Sequence, residues 1–95
     1  MEVTWDNAKA LSNERKHGVE FLFATAVFDD HARIEPLDRR RDYGEDRHIV
    51  LGQIDGRLYM VVYTLRDDFL RLISARKANP REQKKYDRAL HRRRT

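Results

Sequence analysis

Apolar side chains in the first thirty residues recur at intervals of three and four, which predicts two helices. The first begins after Asp6, a residue type that caps helix N-termini, and ends at His17, with Gly18 as its C′ residue. The second begins near Glu20 and is closed by Asp29-Asp30. Its spacing predicts one buried face, which comprises Phe21, Ala24, Val27 and Phe28.

Alternating apolar positions predict strands on either side of these helices. A short strand is expected at Val3–Trp5 and another at Ala32–Leu37. Pro36 has no N–H for a strand ladder, so the second of these strands is predicted at a sheet edge. The charged stretch 38–46 lacks apolar anchors and is expected to be a mobile loop or hairpin tip.

Three further strands are predicted to form an antiparallel meander. Arg47–Ile54 and Arg57–Thr64 are joined by Asp55-Gly56, a dipeptide that tolerates the positive φ angles of a type I′ hairpin turn. The strand Arg57–Thr64 is apolar on both faces, which predicts a central position in the sheet. After a turn at 66–68, Phe69–Ala75 is expected to be the next antiparallel strand.

The last predicted element is a C-terminal helix. Asn79 is a candidate N-cap, Pro80 suits the first helical position, and Glu82 can complete a capping box. The helix has few apolar positions and is expected to be largely exposed and basic, with 92–95 as a frayed basic tail. Together the elements predict an α+β fold in two layers, with two N-terminal helices, an antiparallel sheet of three to four strands and a C-terminal helix.

The composition of the 95 residues fits a single domain that spans 1–95. Cysteine is absent, which excludes disulfides and thiolate zinc sites and favours a reducing compartment. No apolar run approaches the ~20 residues needed to span a bilayer, and the acidic start does not resemble a signal peptide. We therefore expect a cytoplasmic protein with no membrane contact.

Positive charge is concentrated in the last third of the chain. Residues 1–65 contain 9 Lys and Arg against 12 Asp and Glu, a net charge of −3, whereas residues 66–95 contain 11 against 4, a net charge of +7. A basic block of this density attracts phosphates or an acidic partner surface. A solvated basic helix without any ligand is the alternative.

Short motifs in both halves of the chain resemble those of the BrnT-type toxins. In the first half these motifs are Trp5-Asp6, Lys9, Asn13, Lys16-His17-Gly18-Val19, Val27-Phe28 and Asp30. In the second half they are Glu45, Arg47, Gly52, Tyr63-Thr64, Arg66, the run from Ile73 to Ala78, Glu82 and Tyr86. One difference is Leu22-Phe23, where the family usually carries acidic residues, so any carboxylate role there passes to Glu20 or is absent.

The resemblance implies a RelE-like fold and the toxin of a type II toxin–antitoxin system. Such a toxin is an endoribonuclease that inhibits translation and is neutralised by a cognate antitoxin. The antitoxin carries a ribbon-helix-helix part, so the toxin would meet DNA only through it. From the residues alone, two alternatives stay open: a non-catalytic nucleic-acid-binding regulator, and a structural protein whose basic face neutralises an acidic partner.

RNA can be cleaved without a metal or cofactor, because its 2′-hydroxyl is itself a nucleophile beside the phosphorus. The protein then supplies a base, an acid and positive charge around the phosphoryl oxygens. Arg76 is the first candidate for the charge, because it is expected at a strand end on one face with Leu70, Leu72 and Ser74.

Two further residues are candidate phosphate ligands. Arg66 lies at a neighbouring strand end, and Ser74 carries a hydroxyl that can donate to a phosphate oxygen. Each arginine has an alternative partner in a local acid such as Asp67 or Glu82. Ser74 has the alternative of an internal hydrogen bond.

Proton transfer has five candidates: His17, Lys16, Glu20, Tyr63 and Tyr86. Only His17 is of a type that ordinarily titrates near neutrality, although a cation at the end of a helix also complements the helix dipole. Tyr86 becomes an acid if neighbouring cations lower its pKa, or it is the main core anchor of its helix.

Metal and cofactor chemistry are not expected from the pattern. The four histidines are scattered along the sequence, and no H-E-x-x-H spacing brings ligands together on one helix face. The four glycines are also spread along the chain and form no phosphate-binding loop.

Overall fold

The computed structural model of the chain describes residues 2–36, 40–42 and 45–94. The described elements are, in chain order, β1 (Glu2–Trp5), α1 (Asn7–His17), α2 (Phe21–Ala24), a 3₁₀ turn (Thr25–Asp29), β2 (Arg40–Asp42), β3 (Glu45–Ile54), β4 (Arg57–Arg66), β5 (Phe69–Lys77) and α3 (Pro80–Arg94). The predicted α+β class and the order of its helices and strands are confirmed.

The described strands form one mixed sheet in the order β1-β5-β4-β3-β2. β3, β4 and β5 are the predicted antiparallel meander, with β4 at its centre. The turn between β3 and β4 has φ angles of 50° at Asp55 and 80° at Gly56, as a type I′ turn requires. β1 pairs in parallel with β5, so the predicted antiparallel sheet has one additional, parallel edge strand.

The prediction of a strand at Ala32–Leu37 is wrong. Only a single bridge joins Ile34 to Leu51, through backbone hydrogen bonds of 3.0 and 2.9 Å. Asp30 turns the chain just before this bridge by accepting from the N–H of Ala32 at 2.9 Å, and Pro36 has no donor with which to extend the pairing.

The predicted charged loop at 38–46 is only partly described. Residues 40–42 form β2, which pairs with the first residues of β3 in an antiparallel hairpin. Residues 37–39 and 43–44 lie outside the described part of the chain.

The helix ends follow the predicted capping signals. The carboxylate of Asp6 accepts from the N–H of Ala8 at 2.8 Å, and Gly18 ends α1 at a φ of 68°. α3 continues to Arg94 and so includes residues 92–94, the part of the predicted basic tail that the structure describes. The guanidinium of Arg93 donates to the carbonyl of His31 at 3.0 Å, which ties the end of α3 to the turn after the 3₁₀ segment.

Helices pack on both faces of the sheet, so the predicted two-layer arrangement is wrong. The face that carries Val61 and Ala75 packs against α1, α2 and the 3₁₀ turn, and this cluster forms the larger core. On the opposite face Tyr86 of α3 packs on Leu51 and Leu58, and it is only 2% exposed. α3 has few other apolar side chains and therefore leaves part of this second face uncovered.

Asn13 completes the edge of the sheet where β1 ends. The last pair of β1 and β5 joins Trp5 to Leu72. Farther along β5, the Asn13 amide accepts from the N–H of Ala75 at 3.0 Å and donates to its carbonyl at 2.8 Å. A buried side chain thus replaces a strand partner, which fixes α1 against the end of β5.

A β-bulge at Ile73 moves the second half of β5 onto the other face. Leu72 pairs with Tyr63, but Ser74 pairs with the adjacent Val62, so one residue of β5 is extra. Leu70 and Leu72 consequently face the larger core, whereas Ser74 and Arg76 face α3. The prediction that all four share one face is therefore wrong.

Candidate active site

A basic cleft of about 450 Å³ lies on the sheet face that α3 leaves uncovered. Its floor is apolar and is formed mainly by Ile49, Leu51, Met60 and Val62. Within the described part of the chain, the charged side chains that line it are four cations and one carboxylate, namely Arg47, Arg76, Arg81, Lys85 and Glu82. This excess of positive charge attracts an anionic ligand.

The guanidinium of Arg76 is held in a bidentate ion pair at the end of β5. Its Nη1 and Nη2 atoms each donate to one oxygen of Glu82 at 2.9 Å, and Nη1 also donates to the carbonyl of Lys77 at 3.1 Å. The local ion pair that the sequence offered as an alternative for Arg76 is therefore present, with Glu82 as its acid.

Glu82 is itself positioned by the predicted capping box. The Asn79 side chain accepts from the N–H of Glu82 at 2.8 Å, and Glu82 accepts in return from the N–H of Asn79 at 2.9 Å. The start of α3 thereby fixes a carboxylate, and that carboxylate fixes the guanidinium above the cleft.

One edge of the Arg76 guanidinium is left for a ligand. A guanidinium has five N–H groups, and the contacts to Glu82 and Lys77 use three of them. Among the residues that the structure describes, no acceptor is bound to Nε or to the second hydrogen of Nη2. These two donors lie on the same edge, which matches the paired oxygens of a phosphate.

The ion pair keeps Glu82 negatively charged. Burial alone would raise the pKa of this carboxyl, but hydrogen bonds from Arg76 and from the Asn79 N–H outweigh it and hold the pKa below its usual value. Glu82 is therefore a weak base near neutrality and serves as an orienting group for Arg76.

The structure does not bring Arg66 to the same place as Arg76. Arg76 pairs with Met60, whereas Arg66 lies six residues farther along β4. That separation is about 20 Å in an extended strand. Ser74 lies on the same face of β5 as Arg76, two residues before it, and is half-buried.

Lys16, His17 and Glu20 lie on the α1 and α2 side of the sheet and are exposed. His17 is one helical turn beyond Asn13 and so lies beside the same end of β5 as Arg76. None of the three lines the cleft. These three candidates therefore lie on the opposite face of the sheet from Arg76.

Tyr86 is the core anchor of α3, and the predicted lowering of its pKa is wrong. Its hydroxyl donates to Asp30 at 2.7 Å, and burial together with this bond raises the pKa of Tyr86 to about 12. Tyr63 is likewise buried and donates its hydroxyl to Glu35, and both effects raise its pKa. Neither phenol lines the cleft.

Asp30 joins three parts of the molecule, whereas the sequence predicted only that it closes the second helix. Besides the Tyr86 hydroxyl it accepts from the N–H groups of Ala32 and Gln53, the latter at 2.8 Å. Burial would raise its pKa, but these bonds outweigh burial and lower it. Gln53 and Tyr86 are distant from Asp30 in sequence, so no local pattern predicts these two bonds.

Residues 2–36, 40–42 and 45–94 contain neither a metal-binding cluster nor a membrane-spanning helix. No three His, Asp or Glu side chains in these ranges lie together as ligands for a metal ion. None of their helices is long and apolar enough to cross a bilayer.

The fold and the cleft define a small α+β protein with a basic site for an anionic ligand. A family model described as the ribonuclease toxin BrnT of type II toxin–antitoxin systems matches residues 5–82. The chain therefore belongs to the BrnT family of ribonuclease toxins, as its motifs predicted, and an RNA substrate and an antitoxin partner follow from that membership. No curated protein sequence matches the chain.

Proposed function

We propose that the chain cleaves RNA in the basic cleft without a metal ion, and that it inhibits translation in this way. The observation that carries the proposal is the Arg76 guanidinium, which Glu82 holds in place while one bidentate edge stays available. A fixed cation of this kind can stabilise the charge that develops on a phosphoryl group without reorganising.

The reaction uses the nucleophile that RNA carries itself. The 2′-oxygen attacks the adjacent phosphorus, the bond from phosphorus to the 5′-oxygen breaks, and a 2′,3′-cyclic phosphate and a 5′-hydroxyl result. The 2′-hydroxyl gives up one proton, and the leaving 5′-oxygen takes up one. Arg76 binds the two non-bridging oxygens, and Arg47, Arg81 and Lys85 add positive charge around them.

Charge stabilisation carries more of the catalysis than a tuned acid–base pair in this proposal. The described lining of the cleft contains no histidine or tyrosine, and its carboxylate is engaged by Arg76. His17 then contributes through RNA binding or helix stability. Its substitution should slow cleavage much less than that of Arg76.

Neutralisation by a cognate antitoxin completes the proposed function. Family membership implies such a partner, and we propose that its DNA-binding part is ribbon-helix-helix and that the pair acts in the cytoplasm. An acidic segment of the antitoxin over the basic cleft would exclude RNA by occupying the same charges.

The test is to incubate the purified chain with RNA in a chelator and to determine the ends of the products. Cleavage should persist and leave 2′,3′-cyclic phosphate or the derived 3′-phosphate, with 5′-hydroxyl ends. Products with 5′-phosphate ends, or activity that returns only when a divalent metal is added, would contradict the mechanism. Binding of RNA without any cleavage would favour the regulator that the sequence left open.

A further inference from the structure

The cations of α3 form a row along the side of the helix that borders the cleft. Arg81, Lys85, Arg88 and Arg92 follow one another at intervals of four, three and four residues, which places their side chains on one helix face. Arg81 and Lys85 line the cleft. Lys85, Arg88 and Arg92 line a second groove of about 350 Å³ between α3 and residues 34–36.

The cleft and the second groove lie next to each other. Pro36 and Lys85 belong to the lining of both. From Arg81 to Arg92 the helix rises by about 16 Å, at 1.5 Å per residue. This length accommodates a few nucleotides of extended single strand.

We propose that this row, the α3 track, binds the phosphates of the RNA strand that flanks the cleaved bond. The proposal rests on the proposed function, because the track begins at the cleft that holds the scissile phosphate. Single-stranded RNA presents regularly spaced negative charges, and cations on long side chains can follow its backbone without reading its sequence. The track therefore adds affinity only for strands that extend beyond the cleft.

The groove suits RNA better than a segment of protein. Among the described residues its apolar lining consists of Ile34, Pro36 and Ala89, which offer no deep pocket for the aromatic anchors that dominate protein interfaces. The carboxylate that lines it, Glu35, accepts a hydrogen bond from the Tyr63 hydroxyl. Three cations therefore stand against one engaged carboxylate along the described lining of this groove.

The test measures binding separately from cleavage. The probes are a decanucleotide and a dinucleotide with 2′-O-methyl groups throughout, which lack the nucleophile and cannot be cut. Arg88→Ala/Arg92→Ala removes the far half of the track. Lys84→Ala/Arg15→Ala is the matched control. It also removes two positive charges, but from exposed positions that line neither the cleft nor the groove.

Fluorescence anisotropy across a salt series gives the expected result. Arg88→Ala/Arg92→Ala should bind the decanucleotide about tenfold more weakly at low salt. The slope of log affinity against log salt should become shallower by about 1.4, which corresponds to two phosphates at about 0.7 each. Dinucleotide affinity should match that of the unaltered chain, and the control variant should stay within about twofold for both probes.

Three results would overturn the track. These are an equal loss in both double variants, an unchanged slope, or a loss of antitoxin affinity with RNA affinity retained, which would make the groove a protein-binding surface. Circular dichroism and a melting curve confirm that each variant is folded. If the chain cleaves RNA but Arg88→Ala/Arg92→Ala binds the decanucleotide normally, the proposed function stands and the α3 track is wrong. If the double variant loses affinity but the unaltered chain cuts no RNA, the track binds RNA and the proposed cleavage is wrong.

Discussion

A guanidinium that binds a carboxylate through one edge can still bind a phosphate through another. In Arg76 the edge formed by Nη1 and Nη2 is engaged by Glu82 at 2.9 Å on both sides. The ion pair also removes most of the rotamer freedom that a free arginine would lose on binding a phosphate. In the proposed mechanism Glu82 therefore favours phosphate binding by restricting the motion of Arg76, although it offsets part of the positive charge.

Arg76→Ala should lower the rate of RNA cleavage by about 10²–10³, the usual cost of losing one preorganised donor to the transition state. The fold should persist, because the side chain is partly exposed and its loss leaves the capping box of α3 intact. Cleavage rates at equal protein concentration provide the measurement.

Two other variants make that prediction specific. Arg15→Ala removes an exposed cation from α1 and should leave the rate nearly unchanged. His17→Gln should lower the cleavage rate by less than about tenfold, because His17 does not line the cleft. Loss of a positioned general base would instead lower the rate by about 10²–10⁴. An active, folded Arg76→Ala protein would remove Arg76 from the site, and a larger loss for His17→Gln would make the histidine catalytic.

The elements show which parts of the fold local sequence can predict. Capping residues, turn glycines and alternating strands depend on neighbours in the chain, so α1, the Asp55-Gly56 turn and the start of α3 were predicted correctly. The parallel pairing of β1 and the contacts of Asn13 and Asp30 join residues that are distant in sequence. No local pattern encodes them, and they became apparent only in the structure.

The candidate site likewise combines contacts that local sequence predicts with contacts that depend on distant parts of the chain. The capping box and the choice of Glu82 as a partner for Arg76 were available from residues within six positions of each other. The face on which Arg76 lies depends on one extra residue in β5, and its surroundings depend on α3 returning over the sheet. Strict alternation therefore placed Arg76 at a strand end, where the structure has it, but on the wrong face of the strand.

The hydrogen bond between Tyr86 and Asp30 should stabilise α3 only within a range of pH. Asp30 has a lowered pKa, so its contribution is present above about pH 4, its ordinary range, and is lost as the pH falls through the lowered value. Tyr86 has a pKa raised from 10.0 to about 12, so its contribution is complete below pH 10 and is lost as the pH rises toward 12.

Tyr86→Phe tests this pH dependence. At pH 7 the variant should lose about 1.5–3 kcal/mol of unfolding free energy, the usual value of a hydrogen bond to a charged group. Denaturant titrations across pH should show that this difference is constant between about pH 5 and 9 and shrinks on both sides. Tyr63→Phe serves as the control for alkaline effects, because Tyr63 bonds to Glu35. If the difference in unfolding free energy between Tyr86→Phe and the unaltered chain is the same at every pH, the hydrogen bond to Asp30 contributes nothing to that difference.

At the scale of the whole molecule, the sheet separates the face that carries the larger core from the face that carries the basic cleft. α1, α2 and the 3₁₀ turn cover one face, while α3 covers the other in part and borders it with cations. The charge asymmetry of the sequence is thus also an asymmetry in space, because α3 and the end of β5 contribute most of the basic lining.

Mixing the chain with its cognate antitoxin should give a stable complex in which RNA cleavage is suppressed. Because the proposed mode is occlusion of the cleft, short RNA should compete with the antitoxin, and the competition should weaken as salt screens the charges. Size-exclusion chromatography and cleavage assays of the isolated complex check this. A stable complex that cleaves RNA at the full rate would contradict occlusion.

The extra residue at Ile73 shifts the phase of a single strand. Before it, the even-numbered positions of β5 point into the larger core, and after it the even-numbered positions point into the cleft. Deletion of Ile73 would remove the bulge and leave Arg76 facing the cleft, because Ser74 would then follow Leu72 in strict alternation. If Ile73 were instead paired in the ladder, strict alternation would turn the guanidinium of Arg76 into the apolar layer beneath α1, and Ala75 would face the cleft. The proposed chemistry therefore depends on Ile73 staying outside the pairing, so β5 can lose this residue but cannot add it to the ladder without turning Arg76 away from the cleft.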